Sequence, residues 1–185
     1  MREIITAKDG TKIILREIRM SDAKDLTKYI NQVVAEPNHD VSLWMKQTVK
    51  REKEWIKGVL KKIKTKEEIL LVVESNGKAR GTIDIDRKPL WTLGAHIATL
   101  GIILAKELRN KGIAQKAISF IINLAKKRMK GLEIIELDTY ERNKIGQHVY
   151  TKLGFNKVAL IPYRHKLKKG YQNDVIMQKY LKNKF

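Results

Sequence analysis

Short runs of alternating apolar and polar residues and longer amphipathic runs follow one another along the 185 residues. Alternation predicts strands, and apolar residues recurring every three or four positions predict helices. The predicted strands are Arg2–Thr6, Lys12–Ile18, Glu68–Glu74, Lys78–Asp86, His96–Leu104, Glu133–Thr139, Phe155–Ile161 and Asp174–Leu181. The predicted helices run from an N-cap at Ser21 to just before Pro37, and over Thr48–Ile63, Gly112–Met129 and Asn143–Leu153.

Turn residues connect these elements into one arrangement. Lys8-Asp9-Gly10 and Asn76-Gly77 predict hairpins, and Gly131 and Gly154 predict the ends of the last two helices. The strand, helix and strand of residues 96–139 predict a right-handed crossover between parallel strands. The fold class is therefore α/β (α+β): a single domain, 1–185, whose twisted sheet is mixed but mostly antiparallel. Helices cover both faces, and the sheet splays where the two parallel strands part.

The segment Arg109-Asn110-Lys111-Gly112-Ile113-Ala114 joins an apolar strand to the start of a helix. Unpaired backbone N–H groups and the helix dipole favour an anion at this place, and the basic side chains add positive charge. Gly112 lets the backbone approach a ligand closely. The hexapeptide therefore predicts a phosphate site, with a basic packing turn as the alternative.

A second segment follows about thirty residues later, with Leu137-Asp138-Thr139, Asn143, Gly146, Tyr150 and Gly154-Phe155 in order. Together with the hexapeptide it resembles the GNAT superfamily of acyl-CoA-dependent N-acetyltransferases. Weaker similarity covers nearly the whole chain, at Asp9-Gly10, Arg16, Ser21-Asp22-Ala23 and Asp174–Met177. The resemblance implies three parts: an acceptor-shaping part (about 1–92), an acyl-CoA-binding core (about 93–155) and C-terminal strands (about 155–185).

The same resemblance implies that acetyl-CoA is the cofactor and assigns residues to it. The backbone of Ile102, Ile103 and Leu104 would pair with the pantetheine arm, and the Leu104 N–H would meet the thioester carbonyl. Residues 109–114 would hold the pyrophosphate, and Asn143 would be both a cofactor ligand and an N-cap. Tyr150 would be the general acid, because the pKa of a tyrosine hydroxyl lies close to that of an alkyl thiol. A purely structural tyrosine is the alternative.

The general base and the acceptor site are less well defined by the sequence. His96 begins the cofactor strand and would suit a base, although a structural histidine is the competing interpretation. Asp84 and Asp86 share one face of a strand and would bind an acceptor amine or meet solvent. Glu36, before Pro37, is a further acceptor candidate.

The formal charge of +19 is distributed unevenly, with a net +6 over residues 1–92 and +13 over residues 93–185. A positive field would help to capture polyanionic coenzyme A. The surplus, in Lys126-Lys127-Arg128, Lys130 and residues 164–169, would also suit a nucleic-acid-associated acceptor, with a solubilising surface as the alternative.

Composition excludes several other classes of protein. The chain has no Cys, which removes disulfides, a Cys nucleophile and thiolate metal sites, and its four His show no metal-ligand spacing. No run of 18 apolar residues suggests a membrane span, so a cytoplasmic protein is expected.

The predicted function is acetyl transfer from acetyl-CoA to a primary amine by direct attack in a ternary complex, without a metal. A protein N-terminus, a lysine or a small amine such as an amino acid would be the acceptor. The alternative is a catalytically idle GNAT-like module that binds nucleic acid or a protein. Family resemblance also suggests a homodimer.

Overall fold

A computed structural model describes residues 1–37, 39, 41, 45–167 and 170–182. Within these residues the chain forms eight strands and four α-helices. The strands are β1 (Arg2–Thr6), β2 (Lys12–Glu17), β3 (Glu68–Ser75), β4 (Lys78–Arg87), β5 (Ile97–Leu104), β6 (Ile134–Tyr140), β7 (Asn156–Lys166) and β8 (Tyr171–Tyr180). The helices are α1 (Ala23–Val34), α2 (Val49–Lys64), α3 (Ile113–Arg128) and α4 (Lys144–Lys152).

All eight strands form one mixed sheet in the order β1-β2-β3-β4-β5-β6-β8-β7. The β5–β6 pair is parallel, and the other neighbouring pairs are antiparallel. Because β5, α3 and β6 follow one another, the parallel pair is the crossover unit that the sequence predicts. The mixed, mostly antiparallel sheet is confirmed.

Helices pack on both faces of the sheet, as predicted. We call the face that carries α1 and α2 the acceptor face, after the role that the family resemblance implies for it; its core includes Leu26, Ile56 and Leu70. The opposite face, which we call the α3 face, buries Ile83 and Ile118 among others. The alternation along β3 and β4 sends neighbouring side chains into these two separate cores.

Two local predictions differ from the structure. Ser21 is not the N-cap of α1, because it lies inside a 3-10 turn, Met20–Asp22, that precedes the helix. The carboxylate of Asp22 organises this turn, accepting a hydrogen bond from the Arg19 N–H at 2.7 Å. The β7–β8 hairpin is also longer than predicted, because pairing resumes beyond a bulge between Ile161 and His165 that interrupts the alternation.

Among the described residues, no helix has the length and apolar character needed to cross a membrane.

Candidate active site

The backbone of β5 is paired on one side only along its second half. The parallel ladder with β6 joins Ile97, Ala98 and Thr99 to residues 134–136, and it ends there over the two described strands. Pairing with β4 continues to Leu104. The sheet is therefore open on the β6 side of residues 100–104, which is the predicted splay.

The alternation of hydrogen-bonded and non-hydrogen-bonded pairs between β4 and β5 decides which backbone groups of β5 face this opening. The Ala105 N–H donates to the Arg80 carbonyl at 2.8 Å, so the facing pair of Gly81 and Leu104 is of the non-hydrogen-bonded kind. Leu104 and, by alternation, Ile102 direct their N–H and C=O groups into the opening. Ile103 directs its backbone groups at β4, so only its neighbours are placed to pair with an added strand.

The loop between β5 and α3 ends in a helix terminus suited to an anion. Gly112 is the N-cap, with φ 73°, and the cap makes no side-chain hydrogen bond. The first turn of α3 has no acidic residue, and Asn110 is also left-handed, with φ 61°. The Ile113 side chain is buried in the core and Ala114 packs against it, so these two residues offer backbone N–H groups rather than side chains.

Lys111 is held by the β1–β2 hairpin. Its ammonium pairs with Asp9 Oδ2 at 2.9 Å, and its carbonyl accepts the Lys8 N–H at 2.9 Å. The hydrogen bond from Lys111 lowers the pKa of Asp9 to about 2. The hairpin therefore contacts residues 109–114, the predicted phosphate loop, and offsets the charge of Lys111.

Arg109, predicted for the cofactor, contacts Glu36, predicted for the acceptor. Its Nη1 and Nη2 donate to Glu36 Oε2 and Oε1 at 2.6 and 3.0 Å. Its Nε donates to the Leu104 carbonyl at 2.9 Å. The ion pair joins the segment after α1 to the end of β5. Both carboxylate oxygens of Glu36 therefore accept hydrogen bonds from Arg109, and Glu36 is not an isolated carboxylate that awaits an acceptor amine.

Asn143 is the N-cap of α4, the helix that follows β6, and Tyr150 lies within that helix. Asn143 Oδ1 accepts the Gly146 N–H at 2.9 Å, which confirms the predicted N-cap, and its Nδ2 donates to Thr139 Oγ1 at 3.0 Å. Tyr150 is partly buried against the α3-face core. Its ring meets the edge of Phe155 with 6.1 Å between centroids.

Asp84 and Asp86 line a pocket of about 320 Å³ between α2 and the acceptor face. Glu68 of β3 joins them, and Trp55, Gly58, Val59 and Lys62 of α2 complete the lining. Lys62 Nζ donates to Asp86 Oδ2 at 2.6 Å. Burial, reinforced by the neighbouring charge of Asp86, raises the pKa of Asp84 to about 7. We call this the acidic pocket.

A glycine brings Asp84 to the edge of β5. Asp84 faces Gly101 across the β4–β5 ladder, and a Cβ at Gly101 would lie 2.6 Å from Asp84 Oδ1. The carboxylate therefore occupies space that only glycine leaves free. This contact places the acidic pocket next to the open part of β5.

Three further groups near the acidic pocket escaped the sequence analysis. The buried Tyr29 hydroxyl lies 3.1 Å from Thr82 Oγ1, and burial raises the pKa of Tyr29 above its ordinary value. Burial also raises the pKa of Glu52, to about 7. Glu68 could have been found from the sequence only with the β3–β4 register, which pairs it with Asp86.

His96 is not brought together with these residues. It precedes β5 and lies eight residues from Leu104, about 26 Å along an extended strand. Its Nδ1 lies 3.1 Å from the Leu93 carbonyl. Its position favours the structural interpretation over a role at the open end of β5.

The acidic pocket makes a testable contribution to stability. Because burial raises the pKa of Asp84 from 3.8 to about 7, the folded state binds more protons between these values. That stabilisation is complete below about pH 4 and is lost as the pH rises through 7. We expect Asp84→Asn to become more stable relative to the parent by about 1–2 kcal/mol between pH 4 and 8, after discounting for partial exposure.

Urea unfolding at both pH values measures this change. The exposed Glu54→Gln substitution on α2 is the matched control, and its difference from the parent should not vary with pH. An Asp84→Asn difference that is constant from pH 4 to 8 would contradict the raised pKa.

Comparison with known proteins agrees with this geometry. A family model described as an acetyltransferase (GNAT) domain matches residues 12–156. The chain therefore belongs to the GNAT acetyltransferase family. Comparison with curated protein sequences gives no significant match.

Solved structures share the fold at low sequence identity. A GNAT-family acetyltransferase from Streptococcus pneumoniae has a TM-score of 0.80 and 23% identity, covering 91% of this chain and 99% of its own. The ribosomal-protein-S5-alanine acetyltransferase from Vibrio fischeri has a TM-score of 0.79 and 19% identity, and the match covers 99% of this chain and 98% of its own. RimL, a ribosomal L7/L12 alpha-N-protein acetyltransferase in complex with coenzyme A, has a TM-score of 0.80 and 13% identity, and the match covers 96% of this chain and 98% of its own.

Proposed function

We propose that the protein is an acetyl-CoA-dependent N-acetyltransferase that acts on a primary amine by direct attack in a ternary complex. The observation that carries the proposal is the meeting of two features at the end of β5. The backbone edge of Ile102 and Leu104, which the β6 ladder does not cover, leads directly to the N-terminus of α3, where no side chain caps the helix. An extended arm ending in phosphates fits this combination.

The residues present fit the cofactor by their chemistry. The backbone N–H groups of residues 112–114 are donors for a pyrophosphate, and the absence of acidic residues in this turn avoids repulsion. Coenzyme A complexes are known for the similar protein RimL. When bound, acetyl-CoA supplies the thioester from which the acetyl group is transferred. The Leu104 N–H would then stabilise negative charge on the carbonyl oxygen, and Tyr150 would protonate the departing thiolate.

The acceptor would enter from the acceptor face. The acidic pocket places Asp84 over Gly101, beside the open edge of β5, where a carboxylate attracts an ammonium group. A peptide N-terminus, a lysine and a small amine all carry this group. RimL is an alpha-N-protein acetyltransferase and the similar Vibrio fischeri protein is a ribosomal-protein-alanine acetyltransferase, so a peptide with N-terminal alanine is the first acceptor to test.

Titration calorimetry with acetyl-CoA tests the cofactor site through Gly112→Glu. We expect at least a 100-fold weaker affinity than that of the parent, because a carboxylate would meet the phosphates at the α3 terminus. Gly131→Glu is the matched control, since Gly131 lies beyond the other end of α3 and has an equally left-handed φ of 75°.

The control separates backbone strain from charge at the phosphate site. Equal affinities for the two variants, or a folded parent that does not bind acetyl-CoA, would reject the proposed site. The second outcome would favour the idle module that binds nucleic acid or a protein through its basic half. The homodimer, the nucleic-acid-associated acceptor and the cytoplasmic location stay predictions from the sequence.

A further inference from the structure

A histidine and a buried aspartate form a pair that none of the roles above uses. His165 Nε2 lies 2.8 Å from Asp174 Oδ2. The Asp174 side chain is 3% exposed, and its other oxygen, Oδ1, is buried without a hydrogen-bond partner among the described residues. The His165 side chain keeps 23% exposure, so its ring is open to solvent at one side. A buried carboxylate thus holds a partly exposed imidazole.

The pair lies at the same end of the sheet as Leu104. Asp174 faces Tyr140, the last residue of β6, and the rings of His165 and Tyr140 are 4.9 Å apart. Because β5 and β6 are parallel, Leu104 and Tyr140 both mark the C-terminal ends of their strands. His165 therefore stands on the β6 side of the opening, across from the end of β5.

The pair also lies on the acceptor face. Side chains of facing residues share a face, and side chains two apart along a strand share a face. Asp86 faces Thr99, which faces Glu136, and Glu136 is four residues from Tyr140. The acidic pocket and the His165–Asp174 pair thus lie on the same face of the sheet, on opposite sides of the opening.

The hydrogen bond assigns the protons of the neutral imidazole. An ionised carboxylate only accepts hydrogen bonds, so Nε2 carries the hydrogen and Nδ1 carries the lone pair. Such an arrangement orients a base and stabilises the imidazolium that forms when the base accepts a proton. Arg142 lies next to this group of side chains. Its guanidinium is 5.0 Å from the centre of the Tyr140 ring, and its Nη2 donates a hydrogen bond to the His39 carbonyl at 3.0 Å.

We propose that His165 is the catalytic base that takes a proton from the acceptor ammonium, with Asp174 as its positioning residue. The inference rests on the proposed acetyltransferase function. His165 Nδ1 removes one proton, and the freed nitrogen lone pair forms the N–C bond. The C–S bond breaks with its electrons on sulfur. The attacking nitrogen loses a second proton, and the thiolate gains one, so each turnover releases one proton overall.

Steady-state kinetics of His165→Ala and Asp174→Asn test the inference. The probe is a peptide with N-terminal alanine and one internal lysine, assayed for thiol release from acetyl-CoA between about pH 6 and 9. We expect His165→Ala to lower kcat by about 100- to 1000-fold with little change in the KM for acetyl-CoA. Asp174→Asn should lower kcat about tenfold, because the amide keeps the hydrogen bond but loses the charge.

The pH profile separates catalysis from structure. In His165→Ala the residual rate should follow the neutral fraction of the α-amino group, rising about tenfold per pH unit below its pKa of about 8 and levelling off above it, and added imidazole should restore part of the rate. The ionisable and charged groups near His165 are Asp174 on β8, Asp138 and Tyr140 on β6, Arg164 on β7 and Arg142 after β6. His148→Ala, which changes an exposed histidine of α4, is the control and should match the parent.

Each contrary result has a definite meaning. A His165→Ala rate within twofold of the parent overturns the inference and leaves the acetyltransferase function intact. A lower rate with an unchanged pH profile, no imidazole rescue and a lower melting temperature assigns the pair to the stability of the β7–β8 hairpin and also overturns it. A parent that binds acetyl-CoA but transfers no acetyl group to the peptide rejects the proposed acceptor, and the base assignment is rejected with it.

Discussion

The Arg16→Met variant is expected to lose about 3–5 kcal/mol of stability, because the substitution leaves two poorly solvated carboxylates without their cation. Arg16 donates to both oxygens of Asp22, at 2.7 and 2.8 Å, and to Glu74 Oε2 at 2.5 Å. The three side chains are only 12%, 8% and 17% exposed. The hydrogen bonds to Asp22 in particular raise the pKa of Arg16 above its ordinary value.

Arg16 joins β2, β3 and the turn before α1, so its loss affects the whole acceptor face. Urea unfolding at pH 7 measures the change. Lys12→Met is the matched control, because Lys12 is exposed on the same strand and the same side, and it should change stability by less than about 0.5 kcal/mol. A loss below about 1 kcal/mol for Arg16→Met would show that water replaces the guanidinium at these carboxylates.

The Phe155→Ala variant is expected to lose about 3–5 kcal/mol as well, through a cavity in the α3-face core. Phe155 is 1% exposed, directly follows the left-handed Gly154 that ends α4, and packs its ring against Tyr150. Its N–H donates to the Tyr150 carbonyl at 3.1 Å. The Phe155→Ala substitution therefore also removes the ring that packs against Tyr150, the proposed general acid.

Two measurements separate these effects of Phe155→Ala. Urea unfolding reports the cavity, and kcat at a temperature where the variant is still folded reports the position of Tyr150, with a decrease of about tenfold or more expected. Val158→Ala, at an exposed position of β7, is the control and should change neither quantity appreciably. An unchanged kcat in folded Phe155→Ala would argue against Tyr150 as the acid.

Much of the architecture could be predicted from local pattern. The four helices and eight strands lie where the periodicity of apolar residues places them, because strands and helices that bury one face need that repeat. The prediction failed at Ser21, because the Asp22 carboxylate accepts hydrogen bonds from the Arg19 N–H and from the Arg16 side chain and so forms a 3-10 turn before the helix. It also shortened the β7–β8 hairpin, because the bulge at residues 161–165 breaks the alternation on which the prediction depends.

The cofactor side and the acceptor side differed in how far they could be predicted. The predicted phosphate loop is one continuous segment, so the features that suit an anion can be read from residues 109–114 alone. The acidic pocket combines side chains of β3, β4 and α2, and Glu68 becomes a neighbour of Asp86 only through cross-strand register. Likewise, the contact between Glu36 and Arg109 joins residues 73 positions apart, so no local sequence pattern predicts it. The same holds for His96, which lies at the end of β5 opposite Leu104.

The sequence by itself determined the order and type of the elements, the family and the position of the predicted phosphate loop, because each depends on residues close together in the chain. Only the tertiary structure decided which backbone groups of β5 face away from β4, that Asp84 lies against Gly101, and that His165 contacts Asp174 on the other side of the opening. These relations depend on strand order and register. Both are set by the packing of the whole sheet between its helices, so they become visible only when the chain is folded.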